Sequence, residues 1–213
     1  MSLVKKYALT PDEIDRRSLE MVEASLPEGL QLPPQERYIL CRIVRAEGDA
    51  GIAPLVKFSP DGVEAGLIAL SSQAPVVTDV RMVEMGISKA LLRNANLATS
   101  CMIDAPEVAD RARREGTTRS VAAIRELAPQ ISGAVCAIGN APTALLALLD
   151  LIDAGEVSPA LVIGMPVGFV ACAESKDELV KRNVPYITVM GRRGGSSAAA
   201  ATVNALLDLL KVE

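Results

Sequence analysis

Ala134-Val-Cys-Ala-Ile-Gly-Asn-Ala-Pro-Thr143, followed by Ala144-Leu-Leu-Ala-Leu-Leu149, is the stretch on which the fold turns. Ala134–Ile138 is apolar at every position, short and bounded by glycine, so it reads as a strand covered on both faces. Gly139 to Thr143 form a turn, and a helical segment over Thr143–Ile152 follows. The same unit recurs along the chain. Pro75–Val77, Leu97–Ile103, Ala160–Ile163 and Tyr186–Met190 are further strand candidates, with helical segments at Asp79–Arg93, Ala105–Glu115, Arg119–Leu127, Lys176–Lys181 and Ser196–Leu210. The alternation predicts an α/β fold: a doubly wound, mostly parallel five-stranded sheet with helices on both faces.

An N-terminal helical segment precedes this. Thr10-Pro-Asp-Glu13 is a capping box with proline at the first helical position, and Pro27-Glu-Gly29 closes that helix. A second helix is predicted over Pro34–Glu47, ending at Gly48. Ser59-Pro-Asp61 caps a third, which carries Val63, Leu67, Ile68 and Leu70. No long linker, repeat or low-complexity tract interrupts residues 1–213, so one domain is expected; a domain takes roughly 150 residues.

Composition narrows the function. The 213 residues hold 22 Lys+Arg against 26 Asp+Glu, a net charge of −4, with 50 % apolar residues, 2 % aromatics and no Trp. Mild acidity with few aromatics argues against a nucleic-acid binder, which needs a basic face and stacking platforms. There is no histidine, which removes Ser-His-Asp and Cys-His catalysis and His-ligated zinc. Cys41, Cys101, Cys136 and Cys172 form no CxxC pair, and the last three sit in apolar runs, where a free thiol behaves as a small hydrophobe. No metal site is expected. The polar start, Met1 to Glu13, does not read as a signal peptide, and the low-charge stretch 132–149 is broken by Asn140 and Pro142. A soluble cytoplasmic protein is expected.

Ligands of open parallel sheets bind beyond the C-terminal strand ends, so the residues after each strand are the site candidates. These are Thr78-Asp79, Gly139 to Thr143, Gly164-Met-Pro-Val-Gly168 and Gly191-Arg-Arg-Gly-Gly-Ser-Ser197. The last has two readings: an anion cradle ahead of a helix, or a glycine-rich turn with a Ser cap and two solvated arginines. Thr117-Thr-Arg-Ser120 opens a helix. Capping accounts for its hydroxyls, while Arg119 suits an acidic group. Asn140 and Thr143 flank a strand-to-helix turn where one of them should be the cap, and Asn140 also suits a ligand. For Asp177 and Glu178 a solvated helical turn is the expectation.

Together these segments resemble the precorrin-8X methylmutase family, which includes the cobalt-precorrin-8 methylmutases. The resemblance runs from Ile14 to Leu207 and is carried, in order, by Ile14-Asp-Arg-Arg-Ser18, Arg42-Ile-Val-Arg-Ala-Glu-Gly-Asp49, Pro75-Val-Val-Thr-Asp-Val80 and Gly116-Thr-Thr-Arg-Ser120. Ala137-Ile-Gly-Asn-Ala-Pro-Thr-Ala-Leu145, Pro159 to Val170, Ala173-Glu-Ser-Lys176 and Gly191 to Ser196 complete it. The resemblance implies a cytoplasmic homodimer that moves a methyl group between adjacent ring C carbons of precorrin-8X or cobalt-precorrin-8, in cobalamin biosynthesis, without metal or organic cofactor. It implies substrate-binding roles for Arg17, Ser18, Thr78, Asp79, Arg119, Ser120, Asn140, Thr143, Lys176 and Arg192. At the position of Arg45 the family carries the histidine credited with assisting the shift. Arg45 is thus the catalytic candidate here, as a fixed cationic donor that cannot shuttle a proton. Glu47 is adjacent, and Asp49 aligns with an acidic residue of the family. The alternative is a tetrapyrrole-binding paralogue that has lost turnover.

Overall fold

The computed structural model describes residues 10–210. Residues 1–9, on which the expectation of no signal peptide partly rests, lie outside the described residues, as do 211–213.

Helix α1 (Pro11–Ser25) starts at the predicted capping box: Thr10 Oγ1 accepts from the Glu13 amide at 3.4 Å and Glu13 Oε2 from the Thr10 amide at 3.0 Å. Helix α2 (Pro34–Glu47) stops at Gly48, whose φ of 65° is the left-handed turn that glycine takes without strain. A 3₁₀ turn (Ala50–Leu55) leads into β1 (Val56–Phe58), then α3 (Gly62–Ser71), β2 (Val76–Thr78), α4 (Arg81–Gly86), α5 (Lys89–Asn94) and β3 (Thr99–Ser100). The rest is α6 (Pro106–Glu115), α7 (Arg119–Ile131), β4 (Val135–Ile138), α8 (Pro142–Asp153), β5 (Leu161–Gly164), α9 (Cys172–Leu179), β6 (Tyr186–Val189) and α10 (Ser196–Leu209).

The sheet order is β1-β6-β5-β4-β2-β3, parallel throughout except for β1 against β6. Side-chain alternation splits the core in two. Val76, Val135, Ala137, Leu161, Ile163 and Ile187 pack with α2, α3, α4 and α10, while Val77, Cys136, Ile138 and Val162 pack with α7, α8 and α9. Both faces are covered, which is why β4 and β5 carry no polar side chain, and β2 and β6 only Thr78, Tyr186 and Thr188. From β2 the chain crosses to β3 on one side and returns as β4 on the other. The strand order therefore reverses between β2 and β4, the place where open α/β sheets leave a crevice.

The sheet has six strands rather than five. The extra strand, Val56-Lys-Phe58, is an antiparallel edge strand buried only at Val56, so it carries no apolar run to betray it. The Leu97–Ile103 run shortens to two paired residues at the opposite edge, and the Asp79–Arg93 segment divides at Ile87-Ser88. There the Ser88 hydroxyl accepts from the Leu91 amide at 3.4 Å and begins α5. All four cysteines are buried and free. Among the described residues no helix is long and apolar enough to cross a membrane.

Gly139 follows β4 and packs against both α4 and α10. A Cβ there would lie 2.6 Å from Val83 Cγ2 and 2.9 Å from both Ala199 Cβ and Ser196 Cα. Gly139→Ala is expected to cost about 1–3 kcal/mol by overpacking. A thermal melt should show it as a fall of about 2–4 °C per kcal/mol.

Candidate functional site

The switch point is closed by one side chain. Asp79, fully buried just after β2, accepts from the Gly139 amide on Oδ1 and from the Asn140 and Ala141 amides on Oδ2, each at 2.9 Å. Burial pushes its carboxyl up, against the three amides that hold it down. Asp79 thus serves the start of α8 from another strand. Neither Asn140 nor Thr143 caps that helix: its cap position is Ala141, which has no side-chain hydrogen bond. This corrects the sequence expectation, and the reason is long-range satisfaction of amides that local side chains leave open. Thr78 is also fully buried and donates to the Ser100 carbonyl at 3.5 Å, across β2 and β3. Neither Thr78 nor Asp79 reaches solvent.

Relieved of capping, Asn140 is exposed. Thr143 lies beside α7, its Oγ1 3.3 Å from Thr118 Oγ1, and Thr118 caps α7 by accepting from the Val121 amide at 3.2 Å. That contact joins the Gly139–Thr143 turn to the Thr117–Ser120 segment. Arg119, the first residue of α7, is exposed, and Ser120 is half-buried. The next loop is stitched on by backbone: the Met165 amide donates to Ile138 O at 2.8 Å and the Val167 amide to Asn140 O at 3.4 Å.

The two arginines after β6 differ. Arg193 is ion-paired with Asp49. Arg192 is exposed, with its guanidinium 5.5 Å from the centroid of Phe169. Such a cation–π contact leaves the N–H edge free for an acidic group. Beneath them lies Lys176, fully buried, whose Nζ donates to Gly191 O at 3.0 Å and Arg193 O at 2.5 Å. Its helix opens at Cys172, four residues before the predicted start, because Ala171 takes a left-handed φ of 57° at the cap position. Asp177 is exposed as expected, while Glu178 pairs with Lys181 and Arg182. The cap of α10 is Gly195 rather than a serine.

Helices α2 and α10 run antiparallel. Ser197 Oγ donates to Glu47 Oε1 at 2.6 Å at one end, and Tyr38 OH to Asp208 Oδ2 at 3.4 Å at the other. The end of α2 therefore lies at the strand-end edge of the sheet. Arg45, in that last turn, is ion-paired with Asp15 on α1, which also receives Arg42 at 3.4 Å. The Arg45 guanidinium holds the Asp15 carboxyl below the usual range. On the same helix Arg17 is exposed and Ser18 donates to Ile14 O at 2.5 Å.

Thr78, Asp79, Asn140, Thr143, Arg119, Ser120, Lys176 and Arg192 thus lie along the strand-end loops and the helix starts they feed, whereas Arg45, Arg17 and Ser18 form a flank on α1 and α2. What the sequence does not show is the pairings: Asp15 with Arg45, Asp49 with Arg193, and Glu47 with Ser197. Phe169 was legible in principle, as one of two phenylalanines and set beside a glycine after a strand. It is 80 % exposed, next to Val170 at 86 %.

The precorrin-8X methylmutase family model matches residues 13–209. The chain belongs to that family. Its members are isomerases. A cobalt-precorrin-8 methylmutase of Priestia megaterium is 40 % identical over 203 residues, 95 % of this chain and 89 % of that one. A precorrin-8X methylmutase of Pseudomonas aeruginosa is 42 % identical over 177 residues, 82 % of this chain and 85 % of the relative. The crystal structure of the Thermus thermophilus precorrin-8x methyl mutase superposes with a TM-score of 0.85 at 37 % identity, covering 93 % of this chain and 96 % of the other. The chain therefore shares its overall fold with that methyl mutase.

Proposed function

We propose that this chain is a precorrin-8X or cobalt-precorrin-8 methylmutase of cobalamin biosynthesis, acting as a single-domain cytoplasmic homodimer on a tetrapyrrole. The family match over residues 13–209 carries the reading. The reaction moves one methyl group between adjacent ring C carbons: one C–C bond breaks, another forms, and no atom leaves or enters. Such a shift needs a site that binds a large polycarboxylate and polarises its ring.

The residues divide by role. Arg192, Arg119, Ser120, Asn140 and Thr143 face the ligand, with the arginines pairing its acetate and propionate groups bidentately. Thr78, Asp79 and Lys176, all fully buried, shape the loops that present them. Arg45 supplies a fixed positive charge and N–H donors where charge develops in the ring. Arg17 and Ser18 complete the site of the second subunit. Helix α1 favours that assignment: it has no buried residue, exposes Ile14 and Met21, and leaves an apolar groove of about 410 Å³ against α2, lined by Leu19, Pro34, Tyr38 and Cys41.

Arg192→Ala separates the two arginines. It is expected to raise KM for precorrin-8X by about 10-fold or more, the scale of a lost charge-assisted pair, with little change in melting temperature. A KM unmoved by the substitution would remove Arg192 from the ligand and weaken the placing of the carboxylates on this loop.

A further inference from the structure

Among the described residues Lys176 is the one fully buried side-chain cation. Its three N–H donors meet the carbonyls of Gly191 and Arg193 and the neighbouring Cys172 thiol, which itself reaches toward Pro166 O at 3.2 Å and Gly191 O at 3.7 Å. Among the described residues no carboxylate lies within ion-pairing distance of it. Buried lysines are ordinarily paired, because an isolated charge is costly away from water. The positive charge is therefore uncompensated, directly under the loop that carries Arg192.

The surrounding groups do not supply the missing anion. On α9 itself are Cys172, whose thiol is pushed up by burial, the exposed Glu174 and Asp177, and Glu178, which is paired with Lys181 and Arg182. The loop above brings Arg192, a second cation, and Arg193, already answered by Asp49. The elements packed most extensively on α9 are α8 and β6. They carry Asp150, Asp153 and Tyr186, none of which acts on Lys176, and Asp153 is taken by Arg182.

We propose that Lys176 is a positioning residue whose uncompensated buried charge is answered by the anionic ligand of the site, so that ligand capture at the Gly191–Ser197 loop is linked to the protonation of Lys176. This rests on the reading of the ligand as a tetrapyrrole polycarboxylate. Burial pushes Lys176 down to about 8, near working pH. Its neutral amine still has two donors for the two carbonyls. Raising the pH therefore removes the charge and leaves the loop its shape. The ligand's carboxylates stay ionised throughout.

Binding and stability then move in opposite directions. The unfolded chain holds this proton to about 10.5 and the folded one to about 8, so stability rises with pH between these values. Ligand capture falls in the same window. KM for precorrin-8X is expected to rise about five- to tenfold from about pH 7 to 9.5, the scale of one partly screened charge. The KM of Lys176→Met is expected to be high and flat over that range, with kcat changed far less. A Lys176→Met protein whose KM matches wild type and follows the same pH profile would overturn the proposal. Should that variant not fold, the ε-carbon NMR titration of Lys176 in wild type decides. A midpoint near 8 without ligand, moving up when precorrin-8X is added, supports the proposal; a midpoint above about 10 in the free protein overturns it. Wild type that neither binds nor converts precorrin-8X at any pH would count against the methylmutase reading. The ligand-free midpoint still judges Lys176.

Discussion

Asp79→Ala is expected to lower the melting temperature by about 10 °C or more and to abolish ligand binding at the temperatures where wild type works. The substitution orphans the amides of Gly139, Asn140 and Ala141, all of which Asp79 accepts at 2.9 Å. Each unsatisfied amide costs about 1–3 kcal/mol, and a domain of this size loses about 2–4 °C per kcal/mol. The damage falls on the switch point itself. The same three residues set the course of α8 and with it Asn140 and Thr143. Asp79→Asn keeps an oxygen for the two amides that share Oδ2 and is expected to lose less than half as much. Differential scanning calorimetry of the two variants measures both effects; equal and small losses would show that the turn holds without its carboxylate.

Arg45→His is expected to raise the single-turnover rate by about 10²-fold or more, the contribution of a positioned general acid. A guanidinium stays protonated at any accessible pH, so in the proposed role Arg45 would stabilise charge without giving up a proton. An imidazole at the same place would find Asp15 across the α1–α2 contact, where it now holds Arg45. That carboxylate would orient the ring and raise its pKa, keeping it charged and able to donate near neutral pH. Arg45→Ala, by contrast, is expected to lower the wild-type rate about 10-fold or more, since one preorganised donor is lost. Stopped-flow absorbance of the three proteins with precorrin-8X gives the order directly. A histidine variant no faster than wild type would mean that the Arg45 position lies outside the chemistry.

The layered α/β fold was legible because the central strands are buried on both faces and therefore mostly apolar, wholly so in Val135-Cys-Ala-Ile138. Val56-Lys-Phe58 was illegible for the converse reason: an edge strand with Lys57 exposed has no such run. The site divides along the same line. The loops after the strands could be read because glycine, proline and small polar residues cluster there. Their internal connections could not. Asp79 reads as a ligand contact in a string of residues, and only the fold brings it to the amides of residues 139–141. Lys176 likewise reads as a ligand contact within the charged segment Glu174-Ser-Lys-Asp-Glu178, yet it and Ser175 are the residues of that run with no exposure. Long-range polar pairings leave no period in the sequence.

The central claim is that this chain turns over a tetrapyrrole with Arg45 in place of the family's histidine. It is tested most directly by mixing excess wild-type protein with precorrin-8X, or its cobalt form, and following the visible spectrum through a single turnover. The account predicts a slow but complete conversion to the methyl-shifted isomer, accelerated in Arg45→His. A spectrum that changes on binding and then stays fixed, with conversion restored only by Arg45→His, would contradict it and identify a pocket that binds without catalysing.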